Sequence, residues 1–353
     1  MPRTVHADDL TQFGTATLQT FGVPLPDASL LADSLVKAEL WGHSSHGMLR
    51  LPWYVERLRS GAMTAVTKST IAVDNGAVVV IDGQDGIGQV LTDQGVKIGV
   101  ERARKHGISA VGIRNSNHFG TAAYFTRDAA KEGCVTFLST NASPAMAPWG
   151  GKQKAIGTNP WSIAAPAGRH GVAVMDIANT AVARGKIYLA AERGEDIPPT
   201  WAADESGKPT TNAKDAIHGL ILPMAGHKGY VISFMMDVLA GVLTGSNFGS
   251  NIAGPYQADR KSGCGHLLLT IDVRAMMPIG DFEQRMEVLI DEIKSIPTAA
   301  GIDEIYFPGE LEDRNTEKNL ASGISVAENT WESLLKLSQE TKVPLPADNA
   351  IPA

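Results

Sequence analysis

TIAVDNGAVVVIDGQDGIGQVL, residues 70–91, is where the chain changes its hydrophobic period. TIAVD and AVVVID are β-branched runs on either side of Asn75-Gly76, a dipeptide that favours a tight hairpin turn. Gly86-Ile87-Gly88 then begins a GxGxxG fingerprint, but Leu91 stands where the third glycine belongs. That glycine lets a helix pack closely on its strand, and no other GxGxxG follows a strand and opens a helix. The expected α/β unit is therefore not a Rossmann unit.

Upstream of this run the pattern is helical. Leu10, Phe13, Thr17 and Phe21 recur at helical spacing between Asp8-Asp9 and Gly22. A second helix follows Pro26-Asp27, with Leu30, Leu31, Leu35 and Ala38 on one face and Asp27 as its cap. After GHSSHG (42–47), Met48, Leu49, Tyr54, Val55 and Leu58 form a short amphipathic helix with Pro52 near its start.

Downstream, helices and strands alternate. A helix is expected over 89–105, a strand at ISAVGIR, a helix over 120–132, and strands at CVTFLST, WSIAAP and GVAVMDIA. ARGKIYLAAERG and KGYVISFMMDVLAGVLTG read as helices. HLLLTIDV and EIYFP read as strands around a helix over 281–295, and the tail from about 316 returns to helix. RGEDIPPTWAADESGKPTTN (193–212) has the composition of a surface loop or a lid. At 353 residues the chain exceeds the ~250–300 at which one core stops growing. The fold class expected is α/β (α+β). A helical unit takes 1–68 with 316–353, and an α/β unit takes 69–315.

Composition narrows the function classes. Gly (36) and Pro (19) make up about one residue in six, dispersed, which fits a loop-rich globular protein. A net charge of −7 argues against a basic nucleic-acid face, while leaving room for a local cationic site. No long uncharged apolar run suggests a membrane span, and MPRTVHADDL lacks an apolar leader core. Cys134 and Cys264 lie in apolar settings, as buried thiols of a cytoplasmic protein do. No His spacing reads as a metal site: His43 and His46 can share a face, but no third ligand is in view.

Five clusters carry chemistry. In GHSSHGMLR (42–50), Arg50 falls one helical turn after His46. A guanidinium can grip a carboxylate bidentately while an imidazole, oriented by Ser45, exchanges a proton at the next carbon. In RNSNHFGTAA (114–123), His118 stands at a helix start, and small residues beyond it would let a phosphate approach backbone N–H groups. GTNPW (157–161), DIANT (176–180) and ARGK (183–186) place Thr158, Asp176 and the cations Arg184 and Lys186 near strand ends. GHKGY (226–230) opens an apolar helix with His227-Lys228, and Pro308-Gly309-Glu310 is a turn after the last expected strand. Taken singly, each reads equally as a cap or a solvated turn.

Together and in order they carry more. SSHGMLRLPWYVERLRSGAM, RNSNHFGTAAYFTRDAAKEG, GTNPWSIAAP, DIANTAVARGKI, WAADESGKPTTN and GHKGYVISFMMDVLAGVLTG resemble the type-2 malate/L-lactate dehydrogenase family, from about residue 8 to 335. The resemblance implies a non-Rossmann oxidoreductase that uses NAD or NADP on a small 2-oxo/2-hydroxy acid. It also implies a homodimer or higher homo-oligomer with the site near the subunit contact. By motif, His46 with Ser45 matches the acid–base pair, and Arg50 the substrate-carboxylate binder. His118 matches either a proton carrier or a cofactor contact, and Thr158 a substrate-side position. His118, Phe119, Gly120, Thr121 and Ala122, then Asp176, Ile177 and Ala178, then Arg184 and Gly185, then His227 and Lys228, then Pro308, Gly309 and Glu310 match cofactor-contacting segments. Lys186 stands where the imine-reducing branch carries Asp. It therefore favours an oxo acid with a second anionic group, of malate, sulfolactate or ureidoglycolate type, over a cyclic-imine or N-alkyl amino acid reductase.

Overall fold

A computed structural model describes residues 3–347. The chain opens with β1 (Arg3–Val5), α1 (Ala7–Thr20) and α2 (Leu25–Leu40). Leu10, Phe13, Thr17 and Leu18 of α1 are buried at helical spacing. Pro24, with φ −58, sits at the N-cap of α2, so Asp27 lies inside its first turn and is not the cap expected. The next helix also differs. Two 3-10 turns, Ser44–His46 and Met48–Arg50, carry the GHSSHGMLR cluster, and α3 (Leu51–Ser60) starts only afterwards. Gly47 explains the break: a Cβ there would fall 2.1 Å from Glu39 Oε1, which accepts the Met48 N–H at 2.8 Å.

β2 (Thr70–Asn75) and β3 (Val78–Asp82) form the expected hairpin. Asn75 pairs with Val78, so Gly76-Ala77 make the turn, with Gly76 at φ 73. There follow α4 (Gly88–His106), β4 (Ile108–Ser116), α5 (Ala122–Lys131), β5 (Cys134–Thr140), β6 (Trp161–Pro166) and β7 (Val172–Ile177). The chain continues with α6 (Arg184–Arg193), β8 (Ala202–Ala203), α7 (Ala213–His218), β9 (Leu220–Ile221) and α8 (His227–Asp237). It closes with β10 (Cys264–Asp272), α9 (Ile279–Lys294), α10 (Glu310–Ser322), β11 (Ile324–Val326) and α11 (Glu328–Thr341).

Seven strands form one sheet in the order β2-β3-β4-β10-β5-β6-β7. Only β3 and β4 run parallel; every other neighbouring pair is antiparallel, which rules out the doubly wound arrangement. The late strand β10 fills the centre, between β4 and β5. On one face Gly95 and Gly99 let α4 settle onto Ile113, Leu268 and Thr270. On the other, a helical turn at Val238–Val242 packs where Gly112 and Gly265 carry no side chain; a Cβ on Gly265 would meet Ala240 O at 1.8 Å. Both cysteines are buried and free.

The two ends of the chain meet. β1 pairs antiparallel with β11, Arg3 opposite Val326, and one apolar cluster joins Leu10, Leu31, Leu35, Tyr54 and Val55 to Ile324, Trp331 and Leu334. α10 runs unbroken through 315/316, and Asn315 and Asn319 donate to the Trp41 and Leu40 carbonyls at the end of α2.

One expectation fails locally. EIYFP (304–308) is not a strand, because side chains take its backbone groups: Lys294 Nζ donates to Ile305 O and Phe307 N–H to Glu310 Oε2. Residues 193–212 are a mostly exposed loop, as their composition suggests, pinned to the protein at Ile197, Ala202 and Ala203. Ala202 is fully buried, packed with Ile187, Ala190, Ala213 and Ala216 of α6 and α7, and β8 pairs with β9. Among the described residues no helix is long and apolar enough to cross a membrane.

Candidate active site

Four of the residues singled out in the sequence converge. The first 3-10 turn presents Ser45 and His46, with Ser45 Oγ 3.0 Å from His46 Nδ1. Arg50, at the end of the second turn, donates from Nε to Ser45 O at 2.6 Å, and its guanidinium lies 4.4 Å over the Trp53 ring. Its two terminal nitrogens have no hydrogen-bond partner among the described residues, so the fork that suits a carboxylate is open. His118, between β4 and α5, stacks on His46 with ring centroids 5.8 Å apart and 19° between the planes.

Charge in this cleft favours neutral imidazoles. Burial pushes His46 down to about 3, with Arg50 and His43 adding to the effect. Burial also holds His118 well below its ordinary value, followed by Arg50, His46, His266 and Arg57. Both histidines are only partly buried as residues. The Arg50 guanidinium is itself lowered by burial.

The loop that carries His118 is held from three sides. Arg57, 1% exposed with no carboxylate partner among the described residues, donates to Asn117 Oδ1 at 2.9 Å. Asn117 Nδ2 donates to Asp85 O at 3.0 Å and Gly86 O at 2.8 Å. Gly88 sits against the same loop: a Cβ on it would fall 2.3 Å from Asn117 O and 2.6 Å from His118 O. The incomplete GxG of the sequence is thus a packing surface for the His118 loop. From below, His266 of β10 bridges Thr140 Oγ1 and Ser116 Oγ, both at 2.8 Å, with its ring against Phe119.

The remaining expected residues fall around this centre. The Phe119 side chain is 2% exposed in the core and Ala122 is 3% exposed, which leaves mainly their backbone for any contact. Gly120 has φ 87, and Thr121 caps α5 with its Oγ1 buried and unpartnered. Asp176 Oδ2 accepts the Ala123 N–H at 2.8 Å, so a carboxylate already occupies the α5 N-terminus that the sequence offered to a phosphate. Ile177 and Ala178 continue from it. The Thr158 carbonyl accepts from Asn179, whose own carbonyl receives the Met224 N–H just before α8. At α6, Arg184 lies 6.0 Å over Tyr188, Gly185 has no atom within 4 Å of where a Cβ would stand, and Lys186 is exposed. His227 and Lys228 are exposed at the start of α8, His227 edge-on to Trp149.

Pro308 O accepts the Val174 N–H and Gly309 O accepts from Arg127 Nη2, which ties this turn to β7 and α5. The Glu310 carboxylate receives hydrogen bonds from Lys294 and Arg314, each at 2.7 Å, and from the Phe307 N–H at 3.2 Å.

Sequence reading missed Tyr54, Arg57, Gln89 and His266. Tyr54 was placed on an apolar face, yet its hydroxyl lies 2.7 Å from His118 Nδ1. The spacing Arg50, Trp53, Tyr54, Arg57 is i, i+3, i+4, i+7, so a polar-tipped stripe was available to find them.

The family model for malate/L-lactate dehydrogenase matches residues 5–335. The chain belongs to that family. It is 38% identical over 328 residues to the malate/(S)-sulfolactate dehydrogenase of Methanothermus fervidus, covering 93% of this chain and 95% of that protein. It is 31% identical over 331 residues to the NAD(+) ureidoglycolate dehydrogenase of Escherichia coli K12, covering 92% and 94%. Its structure matches that of the Methanocaldococcus jannaschii sulfolactate dehydrogenase with a TM-score of 0.92 at 34% identity, over 97% and 98% of the two chains. This dehydrogenase therefore shares its fold with the Methanocaldococcus jannaschii sulfolactate dehydrogenase.

Proposed function

We propose an NAD(P)-dependent dehydrogenase that acts at C2 of a small 2-hydroxy or 2-oxo acid carrying a second anionic group. The observation that carries this reading is the open Arg50 fork beside two stacked, neutral imidazoles. The residues fit a dinucleotide: the open Gly185 leaves room beside Arg184 at the start of α6, and the Asp176 carboxylate at the start of α5 suits a hydroxyl rather than a phosphate. Asp176 and the Pro308-Gly309 turn would hold the ribose end, and Arg184 with His227 and Lys228 the pyrophosphate. The nicotinamide, when bound, supplies or receives the hydride.

The protein positions and moves the proton. Arg50 fixes the C1 carboxylate and thereby the face that C2 presents. With its Nδ1 hydrogen given to Ser45 Oγ, His46 keeps a lone pair on Nε2 for the hydroxyl proton during oxidation. In reduction the same nitrogen returns it to the carbonyl oxygen. A carboxylate on Arg50 offsets that cation, so His46 regains proton affinity when substrate is bound.

Lys186 supports the second anionic group. Burial and Arg184 hold the Lys154 ammonium below its ordinary range, with Glu205 opposing them, so two further cations stand on this side of the protein. Homodimerisation is proposed with this reading: α8 and the turn after it expose Val231, Phe234, Met235, Val242 and Leu243, an apolar stripe that a second copy would cover. Two buried, unpaired thiols support a cytoplasmic setting.

The deciding experiment is a panel of hydroxy and oxo acids, with cyclic imines included, against both nicotinamide cofactors. Turnover of malate-, sulfolactate- or ureidoglycolate-type acids with little imine reduction supports the reading. Turnover confined to imines overturns it. Light scattering tests the dimer.

A further inference from the structure

Gln89 is unexplained by the site as described. At the second position of α4 it is 0% exposed, and neither Oε1 nor Nε2 has a hydrogen-bond partner. A core keeps a bare amide only when something else requires it. The amide stands behind the catalytic cleft: its Nε2 lies 3.9 Å from where a Cβ on Gly120 would be. It is also close enough to the Tyr54 phenol to favour the ionised form, against the burial that pushes this phenol up to about 12.

The partners of His118 fix the tautomer of its ring. Its Nδ1 receives the Gly120 N–H at 3.2 Å, and a backbone N–H can only donate. Nδ1 therefore carries a lone pair, and the Tyr54 hydroxyl 2.7 Å away donates to it as well. The ring proton is then on Nε2, which has no partner among the described residues.

We propose that the Gly120 N–H and the Tyr54 hydroxyl, both donating to His118 Nδ1, lock His118 as a hydrogen-bond donor from Nε2, with Gln89 packed behind Gly120 to hold this arrangement in place. His118 then stabilises charge on the C2 oxygen without exchanging its proton, and His46 alone carries the proton. Gln89 and Tyr54 are positioning residues. The part concerning the C2 oxygen rests on the dehydrogenase reading; the tautomer does not. The other groups facing His118 are His46 and Arg50 from the 3-10 turns, Arg57 from α3 and His266 from β10.

The test uses the full chain labelled with 15N, the His118 signals being assigned with His118→Gln. Without substrate or cofactor, Nδ1 is expected to be bare and Nε2 protonated across the neutral range. Tyr54→Phe leaves only the longer Gly120 N–H on Nδ1, so it is expected to weaken the lock, letting a fraction of the other tautomer appear, and to lower kcat about tenfold or more, with both KM values little changed. Gln89→Met is expected to lower kcat several-fold while raising Tm, since an apolar side chain replaces an unpartnered amide. A proton on Nδ1 in the native protein overturns the proposal, as does a Tyr54→Phe variant with native tautomer and kcat. Gln89→Met with lowered Tm and native kcat overturns the role of Gln89. If no 2-hydroxy acid is turned over, the dehydrogenase reading fails, and the spectra still decide the lock.

Discussion

The rings of His46 and His118 stack at 5.8 Å beside the Arg50 guanidinium. Two imidazoles so placed cannot both be protonated, because each would face the other's charge as well as the arginine. The free enzyme thus holds two neutral rings, and the first anion to reach Arg50 changes the balance in favour of a proton.

His46→Ala should lower kcat about a hundredfold or more while leaving the far-UV spectrum and Tm nearly native, because the residue is only partly buried. His118→Ala should also lower kcat. Steady-state kinetics on the best acid of the panel check both. Near-native turnover in both variants would remove the acid–base assignment.

Arg50→Gln should raise the KM for the acid about 10–100-fold, from the lost charge-assisted hydrogen bonds, with a smaller effect on cofactor binding. The same change removes a cation that depresses His46, so the imidazole pKa should rise. An NMR titration of His46 in native and variant protein reads the sign directly. An unchanged or lower value would contradict the electrostatic account.

Gly88→Ala places a Cβ 2.3 Å from Asn117 O and 2.6 Å from His118 O. Backbone must move, at about 1–3 kcal/mol in stability. Because what moves is the His118 loop, kcat should fall although no cleft side chain is altered. Thermal unfolding and kcat measured together test this; loss of stability with native kcat would disconnect Gly88 from the site.

His266 is fully buried between Thr140 and Ser116, and burial pushes its pKa from 6.5 down to about 3. The unfolded chain binds this proton below 6.5 and the folded one does not. Its contribution to stability is therefore intact above 6.5 and is lost on acidification toward 3, at ~1.4 kcal/mol per pH unit. Urea midpoints measured downward from neutral pH should fall, and His266→Gln should flatten that slope. An equal slope in the variant would place the acid sensitivity elsewhere.

Much of this was legible in the sequence because local periods and turn residues carried it. The β-branched hairpin, α4, β4, α5 and β5 stand where their patterns put them, within a few residues. Arg50 and His46 were legible because their chemistry and spacing are local. What was not legible depended on distant chain. Nothing near Gly265 says that β10 enters between β4 and β5, or that Ala240 lies against its α-carbon. EIYFP had a strand's composition, but Lys294 and Glu310 took its backbone groups. Tyr54 had the pattern of a core residue and is one, with 1% exposure; only its hydroxyl tip belongs to the site.

The central strand of the sheet comes late in the chain. As synthesis proceeds from the N-terminus, β4 and β5 leave the ribosome more than a hundred residues before β10, each with one unpaired edge. Ser116 and Thr140 lie at the ends of those strands, and His266, which bridges them, arrives on β10 itself. Synthesis that stops short of Cys264 would leave two apolar edges open to self-association and a cleft without its floor. The catalytic centre and the closure of the sheet are completed in one step.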